Sequence, residues 1–282
     1  MKRAQNSKDS HEQYFWIKNA GTSSATLYLK RTGTSSSHVT VNYTTVNPNA
    51  VTGMFTWTSW TSTNSPGTAI TLNAGATIYL KGKVNTFCSS GSANQWVGFD
   101  SNSTSNKIHI GGNIMSLFYA ENFRENTEFD STYTAHCVGM FHTFKGLVDA
   151  SKLVLPAKTL TKWSYGHMFQ YSAQLQYPPI IEMNNIQAAS TCKYMFHSCS
   201  SLLETPILYP TTHNSKTYCY DYMFTNCSSL KTIYIHMLTW GGSNRSVFSG
   251  VASSGTIYMR SDATWTPSSY NLPSGWTVSK TL

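Results

Sequence analysis

The sequence predicts a mainly β protein with short helices, in which an N-terminal β-sandwich is followed by a repeat solenoid. About seven short segments of alternating apolar and polar residues, separated by Gly, Ser, Asn and Pro clusters, predict the sandwich. One ten-residue phrase that recurs four times predicts the solenoid. We therefore divide the chain into a flexible arm (1–12), a β-sandwich domain (13–112), a connector with an N-terminal cap (113–136), the solenoid (137–236) and a C-terminal cap (237–282).

The composition favours a well-packed protein with an almost uncharged surface. The chain has 282 residues, of which 40% are hydrophobic, 13% aromatic and only 11% charged. Its surface must therefore consist largely of Ser, Thr, Asn and Gly, which is typical of extracellular β-rich modules that bind glycans or other proteins. The net charge of +8 is scattered along the chain without a basic run, which disfavours a nucleic-acid partner.

The first residues are polar and charged, and they lack the apolar core of a signal peptide. No stretch approaches the ~20 apolar residues that would cross a bilayer, so no membrane insertion is expected. Two explanations fit this polar N-terminus. Either a signal peptide has been removed, or the protein is made in a cytoplasm and released by lysis, as phage structural proteins are.

The predicted strands of the N-terminal domain alternate residue by residue. In ATLYLKRT and HVTVNYTT, for example, every second residue is apolar, so those residues should face the core while Tyr28 and Tyr79 face outward. The pair Gly111-Gly112 is interpreted as the junction with the next segment. The residues predicted to point inward are Leu27, Leu29, Val39, Val41, Ile78, Leu80, Ile108 and Ile110.

An acidic cluster lies in the connector. Paired carboxylates can serve acid-base chemistry or bind calcium, but these surround Arg124 in an Asn-rich segment, which favours a solvated connector. The preceding NIMSLF is expected to cap the open end of the solenoid core. The acidic residues are Glu121, Glu125, Glu128 and Asp130.

The repeated phrase reads VGMFHTFKGL, GHMFQYSAQL, KYMFHSCSSL and DYMFTNCSSL, with Met-Phe pairs 28, 27 and 28 residues apart. Each phrase has helical or turn-like spacing, and each is followed by a short β segment: KLVLP, PIIEM, PILYP or TIYIH. A similar segment near the end of the chain is TIYMR. The predicted repeat core comprises Met140, Phe141, Leu147, Met168, Phe169, Leu175, Met195, Phe196, Leu202, Met223, Phe224 and Leu230. Inward strand residues should be Leu153, Leu155, Ile207, Ile233, Ile235, Ile257 and Met259.

The tail after residue 236 contains no Met-Phe pair and is rich in Trp, Pro and Gly. We interpret it as the C-terminal cap, with Trp265 and Trp276 covering the last coil.

Five of the six cysteines lie in the repeats. Cys199 and Cys227 share the position three residues after the Phe, which Phe144 and Ser172 fill in the first two copies. A position that accepts Phe, Ser and Cys indicates packing and free buried thiols, rather than metal ligation or a disulfide framework.

The phrases MFHSCSSLLETPILYP and MFTNCSSLKTIYIH resemble the BspA-like leucine-rich repeats of surface proteins of gut and oral Bacteroidetes, mycoplasmas and gut phages. GNIMSL (112–117) and LPSGWTV (272–278) resemble the flanking parts of the same proteins, so the resemblance covers about residue 100 to the end. The second copy, MFQYSAQL, lacks the Cys and the Ser-Leu ending. The resemblance implies a leucine-rich-repeat solenoid with a non-enzymatic adhesion role, and it supplies no catalytic residue.

The sequence offers no catalytic or cofactor motif: we find no GxSxG, HExxH or phosphate-binding loop. His142 and His197 share one column but lie two coils apart, roughly 10 Å at a strand spacing of ~4.8 Å. That is too far for one zinc ion, so we expect a polar ladder and no metal or cofactor.

Aromatic residues are the better candidates for a binding surface. Tyr234 and Tyr258 alternate with inward residues on successive strands, so they should face outward as a ladder, and Trp240 and Tyr209 are added to this candidate ligand-binding set. The alternative for the solenoid tyrosines is that half of them line the core. The solenoid aromatics considered are Trp163, Tyr165, Tyr194, Tyr220, Tyr222, Tyr234, Trp240 and Tyr258.

The functional hypothesis is a phage virion protein (a fibre, head-decoration or tail component) on the virion surface. It would attach to a bacterial surface glycan or protein through a rigid repeat face. Its partners would include other virion proteins, and it would form a homo-oligomer such as a trimer. The alternative is a bacterial cell-surface or secreted adhesin, and the third reading, a glycan-processing enzyme, lacks a recognisable carboxylate pair in a cleft.

Overall fold

A computed structural model describes residues 9–32, 38–51, 54–64, 67–88, 95–186, 188–209, 212–213, 218–239 and 245–282. The chain is mainly β: of the residues that the structure describes, 33% lie in strands and 7% in helices, and the C-terminal part is a β-solenoid of about 4 turns. The predicted mainly β class and the predicted solenoid are both confirmed.

Eight strands lie in the described residues of the N-terminal part, and seven of them coincide with the predicted segments. The eighth, β1, was not singled out as a strand, although it lies in the middle of the larger sheet. The strands are β1 (Phe15–Asn19), β2 (Ala25–Arg31), β3 (Thr40–Thr44), β4 (Thr58–Thr61), β5 (Thr68–Leu72), β6 (Thr77–Gly82), β7 (Val97–Ser101) and β8 (Ile108–Asn113). They pair antiparallel in the orders β8-β1-β6-β3-β4 and β5-β2-β7.

Aromatic rings connect the two sheets. Phe99 of β7 lies 5.7 Å from the ring of Phe15 on β1 and 5.8 Å from Trp60 on β4, and all three side chains are buried. The inward positions predicted from alternation are all buried, which confirms their predicted orientation. They are Leu27, Leu29, Val39, Val41, Ile78, Leu80, Ile108 and Ile110.

The predicted junction, Gly111-Gly112, lies inside β8 rather than in a linker. β8 pairs on one side with β1 and on the other, in parallel, with β9 (Leu147–Leu155) of the solenoid. One seven-stranded sheet, β11-β9-β8-β1-β6-β3-β4, therefore runs through both parts of the chain. Gly112 has a φ of +79°, and a Cβ there would lie 2.1 Å from the Tyr14 carbonyl oxygen, so the close approach of β8 to the chain before β1 requires glycine.

A short helix, α1 (Ser116–Tyr119), and a 3-10 helix (Ala120–Glu125) form the connector. Ile114, Met115 and Leu117 are buried there, as expected of a cap over a core. Two of the four acidic residues of the cluster have separate partners: Glu121 pairs with Lys81, and Glu128 accepts a hydrogen bond from the Thr159 amide. They do not converge on one point.

The solenoid continues with short parallel strands. These are β10 (Thr159–Leu160), β11 (Ile180–Ile181), β12 (Asn185–Ile186), β13 (Thr212–His213), β14 (Thr232–Ile235), β15 (Ser254–Met259) and β16 (Gly275–Ser279), with a 3-10 helix (Pro267–Tyr270) before the last. β14, β15 and β16 pair in register, and so do β10, β12 and β13.

The repeated phrases form successive tight turns in place of a helix. Successive backbone amides alternate between two kinds of acceptor. The Met140 amide donates a hydrogen bond to the Cys137 carbonyl, three residues back in the same turn. The next amide, of Phe141, donates a hydrogen bond of 2.8 Å to the Met168 carbonyl in the following coil. Every fourth residue of the phrase has a φ between +48° and +73°. These left-handed positions are Ala135, Gly139, Thr143, Trp163, His167, Tyr171, Ser190, Tyr194, Ser198, Tyr218, Tyr222, Asn226, Ser246 and Gly250.

The twelve predicted repeat-core residues have no exposed surface. Their phenylalanines form a ladder along the stack, with ring centroids 5.2 Å apart between Phe141 and Phe169 and 5.3 Å between Phe169 and Phe196. The ladder extends past residue 236 to Phe248, which stacks 6.1 Å from Phe224. A Val247-Phe248 pair thus occupies the place of Met-Phe in a further coil, which a search for Met-Phe could not detect.

Most predicted inward strand residues are buried, but Ile207 was assigned wrongly. It is half-buried, and its neighbour Leu208 is the residue with no exposed surface. Within its described residues this segment pairs through isolated bridges, Glu204 to Thr232 and Leu208 to Ile235, rather than as a regular strand, so strict alternation does not apply to it. Trp265 and Trp276 are both 8% exposed in the last coils.

Candidate functional site

Tyr234 and Tyr258 lie side by side on the outer face of the parallel sheet of the solenoid. They are directly paired in the register of β14 and β15, and their rings stack 5.2 Å apart at an interplanar angle of 12°. Their neighbours Ile233, Ile235 and Ile257 are buried, so the alternation of a strand directs both tyrosines outward. This is the ladder that the sequence predicted.

Tyr209 extends the same face. Its ring lies 5.0 Å from that of His236, two residues after Tyr234 and on the same side of the strand, and the tyrosine is 46% exposed. We call Tyr209, Tyr234, His236 and Tyr258 the strand face. Trp240, the fourth residue of the predicted set, lies outside the described residues.

The stacking within the strand face restricts how it can bind. Tyr234 and Tyr258 each use one ring face on the other, so a ligand cannot stack on that face of either ring. Tyr209 is more exposed and offers apolar ring surface. Rigid rings with hydroxyl groups bind partners at a low cost in conformational entropy.

A second aromatic row lies on the turns. The rings of Trp163, His167, Tyr194 and Tyr222 stack along the solenoid, at 5.5, 4.9 and 5.0 Å between neighbours. Lys193 extends over this row, with its ammonium 5.3 Å from the Tyr194 ring. Since the inner rings stack on both sides, this row mainly stabilises the coils against one another.

Tyr165 and Tyr220 are inside the solenoid, with no exposed surface. Their burial agrees with the expectation that some of the solenoid tyrosines line the core. Both occupy the position three residues before the Met, where Cys137 and Cys192 stand in the other coils.

The histidine column is separated by an intervening ring. Tyr171 lies between His142 and His197, 5.4 Å from each ring centroid and nearly perpendicular to both. A single metal ion therefore cannot bridge these histidines. Among the described residues no group of three or more His, Cys, Asp or Glu side chains has the arrangement of a metal site.

Burial keeps several histidines neutral at physiological pH. It lowers the pKa of His136 to about 4 and that of His142 to about 4, in each case mainly because the charged form would lose its hydration. Burial also lowers the pKa of His167. Its Nδ1 lies 2.5 Å from Gln170 Oε1, which can only accept a hydrogen bond, so Nδ1 carries the proton of the neutral ring.

The two most buried carboxylates that accept backbone hydrogen bonds serve the fold. Asp100 accepts hydrogen bonds from the Ser101 and Lys145 amides and pairs with Lys30 at 2.5 Å. Asp221 accepts from the Arg245 amide at 2.7 Å and lies 3.8 Å from Lys193. Each therefore fixes a coil or strand connection.

Comparison with known proteins identifies no relative: no family model, no curated protein and no solved structure matches the chain. Within the described ranges, no helix combines the length and apolar character needed to cross a membrane.

Proposed function

We propose that this chain is a non-enzymatic attachment protein whose strand face binds a glycan or protein on a bacterial surface. The observation that carries the proposal is the stacked Tyr234–Tyr258 pair, displayed outward at a fixed spacing by two paired strands. Exposed Tyr209 extends the same surface beside His236. Such a preorganised aromatic surface loses little entropy on binding.

The repeats are proposed to be leucine-rich repeats of the BspA-like kind. The phrase MFxxCxSL followed by a Pro-flanked strand supports this, as does a Met, Phe and Leu core that each coil shares with its neighbours. The N-terminal sheets are proposed to form a β-sandwich, supported by the Phe15–Phe99 and Trp60–Phe99 contacts between them.

The proposed setting is a phage virion, as a fibre, head-decoration or tail component that associates with other virion proteins and with further copies of itself. The alternative is a bacterial cell-surface adhesin, and the BspA-like resemblance supports both settings. Antibody labelling separates them: label on purified particles supports the virion, whereas label on the outer surface of uninfected cells supports the adhesin.

The binding proposal is tested with intact protein, a Tyr234→Ala/Tyr258→Ala variant and a Tyr194→Ala/Tyr222→Ala control. The control removes a matched stacked tyrosine pair, 5.0 Å apart, from the turns. Binding to gut Bacteroidetes cells and to a glycan array should be lost in the first variant and kept in the control, provided both still unfold cooperatively. Absence of binding by the intact protein, or equal loss in both variants, would contradict the strand-face assignment.

A further inference from the structure

A cavity of about 160 Å³ lies where the N-terminal strands meet the solenoid. It opens on the outer face of the seven-stranded sheet, over the adjacent strands β1, β8 and β9. Its lining residues are Trp16, Lys18, His109, Ile110, Asp149 and Lys152.

Strand register brings these side chains together. Lys18 on β1 is paired with His109 on β8, which is paired in turn with Asp149 on β9, so the three form one row across the sheet. A second row, Trp16, Gly111 and Lys152, runs beside it. Directly paired residues point to the same side of a sheet. The register of β8 and β9 shifts between His109 and Gly111, so Asp149 and Lys152 both line the cavity although they are three residues apart.

The indole of Trp16 occupies the space that a side chain at Gly111 would fill. A Cβ on Gly111 would lie 2.2 Å from Cζ2 and 2.6 Å from Cε2 of the ring. A hydrogen bond of 3.2 Å from Trp16 Nε1 to Gln13 Oε1 fixes the ring in this position. Because the ring is only half-buried and lines the cavity, it forms a rigid aromatic platform there.

The charges around the platform are mostly positive. Lys18 and Lys152 are exposed and flank the cavity. Burial lowers the pKa of His109; Asp149 acts in the opposite direction, and Lys18 and Lys152 lower this pKa further. His109 is therefore neutral near pH 7, and two ammonium groups face one carboxylate. Asp149 Oδ1 accepts a hydrogen bond from the Ser151 amide, and Asp149 Oδ2 lies 4.0 Å from His109 Nδ1.

We propose that this cavity binds an acidic sugar, a single pyranose ring carrying a carboxylate or sulfate group. The apolar face of the sugar stacks on Trp16, the acidic group pairs with Lys18 and Lys152, and a hydroxyl group donates to Asp149. The cavity is well below the ~300–1,000 Å³ of pockets for drug-sized ligands, which matches one ring. This site shares no residue with the strand face and is independent of its function.

Calorimetry with trigalacturonate and with a sulfated galactose disaccharide tests the proposal. Intact protein should bind at least one of them, and the methyl ester of trigalacturonate, which keeps the rings and loses the charge, should bind about tenfold more weakly. Trp16→Ala should weaken binding about tenfold through lost stacking. Lys18→Gln/Lys152→Gln should weaken it as well, and the affinity of the intact protein should fall with added salt.

Exposed Lys231, on a distant coil, provides the matched control, and Lys231→Gln should bind as intact protein does. The lysine changes are on the surface, so the test holds even if Trp16→Ala unfolds the sheet. The proposal is overturned if neither acidic sugar binds, or if both bind equally to intact protein and to the lysine double variant. Tighter binding of adenosine monophosphate than of either sugar would assign the cavity to nucleotides and would also overturn it.

Discussion

Residue by residue, the most informative position of the repeat is the one three residues after the Phe. Ser172 Oγ donates a hydrogen bond of 2.6 Å to the Phe141 carbonyl of the preceding coil. The thiols of Cys199 and Cys227 donate in the same way to the carbonyls of Phe169 and Phe196. The sequence predicted packing and free thiols here, and the cysteines are free and buried. The hydrogen bond was not foreseen, because its acceptor is a backbone group one coil earlier.

Ser172→Ala should lower the free energy of unfolding by on the order of 2 kcal/mol, because it removes two hydrogen bonds from buried backbone groups and leaves them only the longer bond, 3.3 Å, from the Phe144 amide to the Phe141 carbonyl. Besides donating to Phe141, Ser172 Oγ accepts a hydrogen bond from the Phe144 amide at 3.0 Å. Urea denaturation measures the loss.

Ser172→Cys and Cys199→Ala are the matched comparisons. Ser172→Cys retains a hydrogen-bond donor, so it should lower the free energy of unfolding less than Ser172→Ala does. Cys199→Ala removes a weaker thiol donor and should lower the free energy of unfolding by about 1 kcal/mol. Equal stability of Ser172→Ala and the intact protein would show that the position serves packing alone.

His136 should make the stability of the fold depend on pH in mild acid. Its ring is 1% exposed, stacks 4.3 Å from Phe129 and lies with Nε2 3.1 Å from the Asp130 carbonyl oxygen. Its pKa of about 4 in the fold is below the ~6.5 of an unfolded chain, so the unfolded state binds the proton more readily. The stabilisation is complete above about pH 6.5 and is lost as the pH falls towards 4.

Between pH 7.5 and 5, this residue should account for about 2 kcal/mol of lost stability. Comparison of intact protein with His136→Gln by urea denaturation at several pH values measures it: the variant should show a shallower decline. Identical slopes would mean that His136 protonates as easily in the fold as outside it.

Among the structural elements, the turn phrase is held by an unusual backbone. A positive φ costs an ordinary residue roughly 1–2 kcal/mol, yet the phrase places one at every fourth position. Amides that alternate between their own turn and the next coil offset that cost. Periodicity of side chains indicated helical or turn-like spacing, but it could not distinguish the two, since Tyr, Ser, Thr and Gly all occupy the left-handed positions.

Ser246→Gly should stabilise the protein by about 1 kcal/mol, because Ser246 has a φ of +48° and glycine relieves the strain. The equivalent position of the first coil is already a glycine, Gly139. Ser249→Gly, in the same coil but without a positive φ, should be neutral or destabilising. Thermal unfolding of the two variants compares them, and equal shifts would argue against strain at position 246.

For the molecule as a whole, β8 and β9 join the N-terminal strands and the solenoid in one sheet. Neither part can therefore unfold without breaking the edge of the other. Calorimetry should show a single transition for the full chain, with equal calorimetric and van't Hoff enthalpies. Two separated transitions would mean that the shared sheet does not couple the parts.

Gly112→Ala tests the same coupling from within β8. The added Cβ meets the Tyr14 carbonyl oxygen in a backbone of positive φ, so the variant should lose about 3 kcal/mol while keeping one transition. A variant in which only the N-terminal strands melt early would contradict the coupling.

The sequence predicted the features that depend on local periodicity: the inward residues of the strands, the coil repeat and the outward direction of Tyr234 and Tyr258. It did not predict the features that depend on contacts between distant segments. The cavity at Trp16 requires β1, β8 and β9 to be adjacent, although Trp16 and Lys152 are far apart in the chain. Similarly, Val247-Phe248 is recognised as a coil only through its stacking on Phe224.

The central claim, that the strand face is where this protein attaches, is tested most directly by hydrogen–deuterium exchange of the full chain with and without glycan extracted from a bacterium that it binds. The account predicts slowed exchange in β14 and β15, with unchanged exchange in the turns that carry Tyr194 and Tyr222. Protection confined to those turns, or to no part of the solenoid, would contradict it.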